Sequence, residues 1–191
     1  PVVGGVFVKM LYDTSVWSKY ASRDKTKASD WAPMPKPPQV RVLAATSDKS
    51  ETSYRYTTER PKGDWFGLNY SDAHWKQGRG GLGTPETPGA SVGTRWDSAE
   101  IWVRRIVRLA GPLPDRVGLR IHHDEDARVY LNGELAARLR GYTTDYDFVE
   151  VPSSLLREGE NLIAIHCRQT SGGQFIDCGL DALVPAESND R

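Results

Sequence analysis

The run His122-His123-Asp124-Glu125-Asp126 contains the side chains best suited to bind a metal ion. Neighbouring residues on a strand point to opposite faces, so His122 and His123 do not converge on one ion. Asp124 and Asp126 can instead bind a hard cation such as calcium, together with backbone carbonyl oxygens at a corner between two strands. Alternatively, the two carboxylates accept hydrogen bonds from backbone amides and fix the turn. The sequence therefore predicts no cofactor other than a calcium ion at this corner, and it does not decide between calcium binding and the turn-fixing role.

Aromatic side chains gather in an irregular stretch, rich in glycine, tryptophan and proline, between Gly63 and Ser98. Flat aromatic faces with polar neighbours suit carbohydrates, because sugar C–H faces lie on the rings while hydroxyl groups bond to planar polar side chains. This pattern predicts a carbohydrate site in which Trp75 is an exposed stacking ring. The alternative is that the tryptophans fill the core or cover the end of a sheet. The predicted ligand-binding residues are Trp65, Asp72, His74, Trp75, Arg79, Arg95 and Trp96.

No catalytic centre is recognisable in the sequence. It has no G-x-S-x-G element, and the glycine-rich run from Gly78 to Gly83 lacks the Lys-Ser/Thr of a phosphate loop. His166 and Cys167 are adjacent on a predicted strand and diverge, so they do not form a dyad. Glycoside hydrolysis needs a pair of catalytic carboxylates. The chain has 25 acidic residues, and their spacing in the sequence does not distinguish any two of them from ordinary surface charges. We therefore predict a chain without catalytic residues of its own.

Cys167 and Cys178 are the only two cysteines. They are equidistant from Gly172 and Gly173, so a hairpin centred on these glycines would place the two side chains opposite each other. A disulfide is then geometrically feasible, and it would favour an oxidising compartment. The alternative is a pair of packed thiols that act as small hydrophobic side chains.

The overall charge is balanced, with 25 basic and 25 acidic side chains among 191 residues. Such a chain produces no long-range field that would gather nucleic acid or anionic lipid, so we expect neither nucleic acid nor a membrane as a partner. No apolar run approaches the ~20 residues that cross a bilayer. No charged-then-apolar leader is present in the sequence as given.

The spacing of apolar residues divides the chain into two main parts. Residues 1–38 begin with apolar side chains at helical spacing and end in a proline-rich stretch, which predicts a short helical segment and an extended linker. Residues 39–185 alternate with strand period, and Asn132-Gly133 predicts a hairpin because both central residues of its turn need positive φ. Several short strands with turns between them predict a mainly β fold, a jelly-roll β-sandwich. Residues 186–191 are predicted to be a disordered tail.

Four motifs of the strand-rich part resemble a known module. They are the W-x-R-R strand of Trp102 to Arg105, the V-Y-L-N-G hairpin of Val129 to Gly133, the G-Y-T-x-x element of Gly141 to Asp145, and the G-x-N-x-I-A strand of Gly159 to Ala164. These motifs are similar to galactose-binding-like jelly-roll modules of large bacterial secreted proteins. Such modules are related to the sugar-binding β-sandwich of family 2 glycoside hydrolases. The likeness covers about two-thirds of the chain.

The opening VVGGVFVKML resembles the end of the helical catalytic region of glutaminase-A-like bacterial proteins, where a jelly-roll module can accompany an (α/α) domain. Together with the start at Pro1 in mid-pattern, this resemblance implies that the chain is a piece of a longer polypeptide. It also implies a secreted or periplasmic location and a catalytic domain of the same polypeptide as a partner.

Three functional hypotheses follow from the sequence. The first is a non-catalytic accessory module that binds carbohydrate, or docks to the catalytic domain of a secreted bacterial hydrolase. The second is that the chain is part of a glutaminase-like or glycoside hydrolase enzyme. Its catalytic site would then lie in residues 63–102 and use Asp72, His74 or Asp97. The third is a purely structural scaffold between domains, which predicts an exposed apolar patch near the start of the chain. That patch would consist of Val3, Phe7, Met10 and Leu11.

Overall fold

The computed structural model of the chain describes residues 37–186, which form a β-sandwich of two six-stranded sheets. The predicted mainly β sandwich is therefore confirmed. The compact unit runs from Pro38 to Val184. The predicted helical segment and its apolar patch lie outside the described residues, as does the chain from 187 onward. Within the described part, no helix combines the length and the apolar character needed to cross a membrane.

The strands follow the alternation of apolar and polar side chains along the chain. They are β1 (Gln39–Ala44), β2 (Ser53–Thr57), β3 (Lys76–Arg79), β4 (Leu82–Gly83), β5 (Thr94–Arg95), β6 (Glu100–Leu109), β7 (Val117–Asp124), β8 (Asp126–Leu131), β9 (Glu134–Leu139), β10 (Asp147–Val151), β11 (Gly159–Arg168) and β12 (Phe175–Val184). A single turn of 3₁₀ helix, Ser153–Leu155, precedes β11.

The first sheet has the strand order β10-β7-β12-β4-β5, and β1 also pairs with β12. The second sheet has the order β3-β2-β6-β11-β8-β9. Within these sheets the short pair β4 and β5 is parallel, and the other pairs are antiparallel. The long strands β6, β7, β11 and β12 lie inside the sheets, where both of their edges are hydrogen-bonded. They position the side chains discussed below.

The main core lies between the two sheets. Leu119 and Ile121 of β7 and Ile163 and Ile165 of β11 are all fully buried there. Burial of each such side chain contributes roughly 1.5–3 kcal/mol to folding. The inward-facing apolar residues of the two sheets therefore account for the stability of the sandwich.

The Asn132-Gly133 hairpin forms as the sequence predicts. The two residues join β8 to β9, and their φ angles are 52° and 97°. Asn132 also ties the turn to the rest of the sheet, because its side-chain oxygen accepts a hydrogen bond of 2.9 Å from the amide of Leu162. Its side-chain nitrogen donates to the carbonyl of Leu155 at 2.8 Å. The hairpin is thus held by its own turn geometry and by the neighbouring strand.

The predicted hairpin between the two cysteines is wrong. Cys167 lies on β11 in the second sheet, whereas Cys178 lies on β12 in the first sheet. Both strands present an apolar face to the core, so they pack across the sandwich and the turn between them crosses from one sheet to the other. Both cysteines are free and buried, which agrees with the packed-thiol alternative and not with the disulfide. Burial raises the pKa of both thiols well above its usual range.

A loop of residues 58–75 covers part of the outer face of the second sheet. Trp65 and Trp75 of this loop pack against Trp102 of β6 and against Leu162 and Ala164 of β11. The sheet therefore carries apolar side chains on both faces, which explains why the early part of β6 is buried on both sides. The covered part ends beside an open pocket.

Candidate ligand-binding site

Three adjacent strands of the second sheet bring polar and aromatic side chains together on its outer face. His166 of β11 lies opposite Trp102 of β6 on one side and opposite Arg128 of β8 on the other. Two positions further along β11, Arg168 lies opposite Glu100 of β6. Residues two apart on a strand share a face, so the register of the strands places these five side chains side by side.

Aromatic rings form the floor of this region. The rings of Trp102 and His166 are stacked, with centroids 4.7 Å apart and an interplanar angle of 9°. The rings of Trp65 and Tyr130 meet edge to face at 5.5 Å. Tyr130 also stacks on Phe66 at 4.4 Å. The floor is therefore a set of rings fixed by contacts with one another.

Four of these rings line a pocket of about 500 Å³, those of Trp65, Trp102, Tyr130 and His166. The loop of residues 58–75 supplies one wall, and the three strands supply the floor and the opposite wall. The lining from the loop consists of Arg60, Pro61, Gly63 and Trp65, and the lining from the strands consists of Glu100, Trp102, Arg128, Tyr130, His166 and Arg168.

The surroundings of His166 in this pocket disfavour the charged imidazolium. Burial lowers its pKa most strongly, Glu100 acts against that shift, and the cations Arg128 and Arg60 add to it. The Nε2 atom of His166 lies 3.3 Å from Oε1 of Glu100. The two atoms are not aligned for a hydrogen bond, and Nε2 has no hydrogen-bond partner among the described residues. This nitrogen is buried and lies beside the carboxylate of Glu100.

Positive charge dominates the rim of the pocket. Arg60, Arg128 and Arg168 are exposed, and within residues 37–186 none of them forms an ion pair. Glu100 is the one acidic residue in the described lining. The pocket thus combines an aromatic floor, a partly buried imidazole and three guanidinium groups.

Arg104 holds the covering loop on the sheet. Its side chain is 4% exposed, and its Nε lies 2.7 Å from Oδ2 of Asp72. The guanidinium also donates hydrogen bonds to the backbone carbonyls of Trp65, Gly67 and Tyr70. One buried cation therefore satisfies several acceptors of the loop and fixes the wall of the pocket.

The tryptophans of the predicted carbohydrate site lie in the interior. Trp65, Trp75 and Trp96 are 9%, 4% and 2% exposed. The prediction that Trp75 is an exposed stacking ring is wrong, because the loop folds back onto the sheet and buries the ring. Trp96 belongs to the main core. Of the three, Trp65 lines the pocket.

The polar residues of the predicted site do not line the pocket. Asp72 is engaged by Arg104, and His74 is exposed on the loop. Arg95 pairs with Asp97 at 2.9 Å on the surface. Arg79 lies 3.4 Å from Glu51 and lines a separate cavity of about 390 Å³.

The predicted calcium ligands lie at the ends of two strands from different sheets, Asp124 on β7 and Asp126 on β8. Asp126 accepts a hydrogen bond of 2.9 Å from the amide of Gly141, which is the turn-fixing role that the sequence also allows. Burial, with a contribution from Glu125, raises the pKa of Asp124 to about 6. Among residues 37–186 no three His, Cys, Asp or Glu side chains are placed to hold a metal ion. Calcium binding remains a prediction.

The two histidines of the acidic run have backbone partners. Nε2 of His122 lies 3.1 Å from the carbonyl oxygen of Thr143, and Nδ1 of His123 lies 2.6 Å from that of Glu125. As expected, they do not converge on one point. Their hydrogen bonds help to hold the corner that follows β7.

Sequence reasoning missed the lining residues Arg60, Glu100, Tyr130 and Arg168, and it did not assign Trp102, Arg128 or His166 to a site. The signal was present in part, because polar and aromatic residues alternate with apolar ones on β6, β8 and β11. Alternation identifies the face on which a side chain lies. It does not identify the neighbouring strand or the register, and the pocket depends on both.

No protein-family model and no curated protein sequence matches the chain. Solved structures do match it. Bacteroides uniformis beta-glucuronidase 2 covalently bound to cyclophellitol-6-carboxylate aziridine matches with a TM-score of 0.51 and 15% identity, over 76% of this chain and 18% of that chain. A crystal structure of Bacteroides uniformis beta-glucuronidase matches with a TM-score of 0.50 and 15% identity, over the same shares of the two chains.

A glycosyl hydrolase family 2 member from Bacteroides cellulosilyticus matches with a TM-score of 0.48 and 15% identity, over 68% of this chain and 20% of that chain. The chain thus corresponds to about a fifth of the length of the structures that it matches. At this level of identity the likeness shows the fold. The described residues share the fold of a part of the two beta-glucuronidase structures.

Proposed function

We propose that the chain is a non-catalytic carbohydrate-binding module that accompanies the catalytic domain of an exported glycoside hydrolase. The observation that carries this proposal is the pocket on the outer face of the second sheet. It joins an aromatic floor to exposed hydrogen-bonding side chains in one concavity. Its volume of about 500 Å³ lies within the usual range for small-molecule sites.

The chemistry of the pocket suits a sugar. The apolar C–H face of a sugar ring stacks on flat aromatic surface, such as that of Tyr130. The hydroxyl groups need planar hydrogen-bonding partners, which Arg128 and His166 supply. Because the rings are held by mutual contacts, little side-chain entropy is lost when a ligand binds.

The charges of the pocket do not favour hydrolysis. Glycoside hydrolysis commonly uses two carboxyl groups about 5–10 Å apart across the scissile bond. In the described lining, Glu100 is the one carboxylate. The residues of the alternative enzyme hypothesis, Asp72, His74 and Asp97, lie outside the pocket. A binding role therefore has more support than a catalytic one.

The partner and the location are proposals that rest on likeness. The match covers 18% of the length of each of the two beta-glucuronidase structures, which supports a role beside other domains. A location outside the cytoplasm follows from the resemblance to secreted bacterial modules, and it is part of the proposal.

Docking to the catalytic domain is the second candidate function. The strand β1 lies at an edge of the first sheet, and its Val40 and Val42 are 61% and 52% exposed. Apolar side chains on an open strand edge are suited to contact with another domain. This candidate predicts no saccharide binding by the isolated chain.

A glycan array probed with the 191-residue chain separates the two candidates. We expect binding to a restricted set of saccharides and a loss of at least tenfold on Tyr130→Ala, because the variant removes a stacking ring from the floor. Tyr142→Ala is the matched control, since Tyr142 is 67% exposed and lies outside the pocket. A folded chain that binds no glycan on the array would overturn the carbohydrate proposal and favour docking.

A further inference from the structure

We infer that the pocket selects saccharides that carry an anionic group, and that Arg60, Arg128 and Arg168 recognise this group. The inference rests on the proposed carbohydrate function and adds the ligand class. The first step is the distribution of charge. Of the ten residues that line the pocket, three are arginines and one is a glutamate.

These arginines differ from others on the surface. Arg79, Arg95, Arg108 and Arg116 each lie within 3.4 Å of a carboxylate oxygen. Arg60, Arg128 and Arg168 have no such partner among residues 37–186, although they share one concavity. Three like charges around one pocket repel one another, and an anion held between them removes that repulsion.

Glu100, the one acidic residue in the described lining, lies next to His166 on the floor of the pocket. Glu100 lies beside His166 and opposes the effect of burial on the pKa of that imidazole. Its charge therefore acts mainly on the His166 side of the pocket. The arginines keep a net positive field at the rim.

Guanidinium groups suit a carboxylate in particular. Their planar N–H groups form two parallel hydrogen bonds with the two carboxylate oxygens, and these bonds strengthen when water is partly excluded. A sulfate ester presents similar oxygens and is bound by the same groups. The shared chemistry is an oxyanion on a sugar ring, from a uronic acid or from a sulfated sugar.

The test compares saccharides that differ in charge. Calorimetric titration of the 191-residue chain at pH 7 uses a uronic acid disaccharide, its methyl ester, the corresponding neutral disaccharide and a sulfated disaccharide. We expect an anionic ligand to bind at least tenfold more tightly than the neutral ligands, with an affinity that decreases as salt rises from 50 to 500 mM. Tighter binding of the uronate or of the sulfate ester identifies the source of the oxyanion.

Variants assign the effect to the arginines. Arg60→Gln and Arg168→Gln should each weaken binding of the anionic ligand at least fivefold and change binding of the neutral disaccharide less than twofold. Arg41→Gln is the matched control, because Arg41 is an exposed arginine on β1 of the other sheet. Equal affinity for the two anionic ligands and the neutral ligands would overturn the charge selection and leave the carbohydrate proposal intact. Binding of neither class would overturn both.

Discussion

His166 combines two features of the pocket in one side chain. Its ring stacks on Trp102, and its Nε2 atom lies beside Glu100 without a hydrogen-bond partner among the described residues. Burial lowers its pKa, so the ring gains its proton only at a lower pH than an exposed histidine does. A bound anion favours the protonated ring and raises this pKa again. The protonation of His166 and the binding of an anion are therefore linked.

This linkage predicts a pH dependence at the residue scale. The affinity for the anionic disaccharide should rise about threefold to tenfold as the pH falls from 7.5 to 5.5, because proton uptake by His166 accompanies binding. The sugar carboxylate stays ionised in this range, since carboxylic acids of this kind titrate near pH 3 to 4. Calorimetric titrations in buffers of different ionisation heat measure both the affinity and the protons taken up.

The control for this prediction is His166→Gln, whose affinity should not change with pH in this range. The melting temperature is followed at each pH. The pKa of His166 is lower in the folded chain than in the unfolded chain, so its contribution to stability is present above pH 6.5 and is lost as the pH falls through that region. An affinity that decreases between pH 7.5 and 5.5 in a folded chain would contradict the linkage.

At the scale of elements, the loop of residues 58–75 depends on Arg104. The guanidinium is buried, and it is neutralised by Asp72 and by three carbonyl groups of the loop. Removing one partner of a buried ion pair leaves the other charge uncompensated, at a cost of about 3–5 kcal/mol. Asp72 is 29% exposed, so water moderates the cost on its side.

We therefore predict that Asp72→Asn lowers the free energy of unfolding by about 1–3 kcal/mol and makes the loop a target of limited proteolysis. Urea unfolding and peptide mapping of the protease fragments measure the two effects. Asp97→Asn is the matched control, because it removes an exposed ion pair with Arg95 and should have a clearly smaller effect on the free energy of unfolding. If the two variants change the free energy of unfolding by the same small amount and neither makes the loop sensitive to protease, the ion pair between Arg104 and Asp72 does not hold the loop on the sheet.

The same loop shows what sequence patterns can and cannot predict. Strand alternation and the Asn132-Gly133 turn were sufficient to predict a sandwich and one of its hairpins, because both are local signals. Trp65 and Trp75 looked suited to stacking, but the loop buries them through a contact with Arg104, which is distant in sequence. The pocket itself depends on the register of β6, β8 and β11. No local pattern contains that information.

At the scale of the whole molecule, the reactivity of the two cysteines can show whether the two sheets of the sandwich separate. Cys167 and Cys178 lie in opposite sheets and belong to the same apolar core. Burial raises the pKa of both thiols, so the reactive thiolate is scarce in the folded chain. We therefore expect reaction with a thiol reagent to require separation of the two sheets, because both residues are fully buried on paired strands of the core.

This arrangement predicts that the two cysteines react together and only through global unfolding. Labelling with a maleimide at pH 7.5 should be slow, and urea should accelerate it in parallel with the unfolding transition measured by tryptophan fluorescence. Mass spectrometry should show unlabelled and doubly labelled chains with few singly labelled ones, since one opening exposes both sites. Rapid labelling of one cysteine in the native chain would show that the sheets open independently. A chain that binds no reagent in 6 M guanidinium chloride until it is reduced would instead contain the disulfide, and the free thiols described here would be wrong.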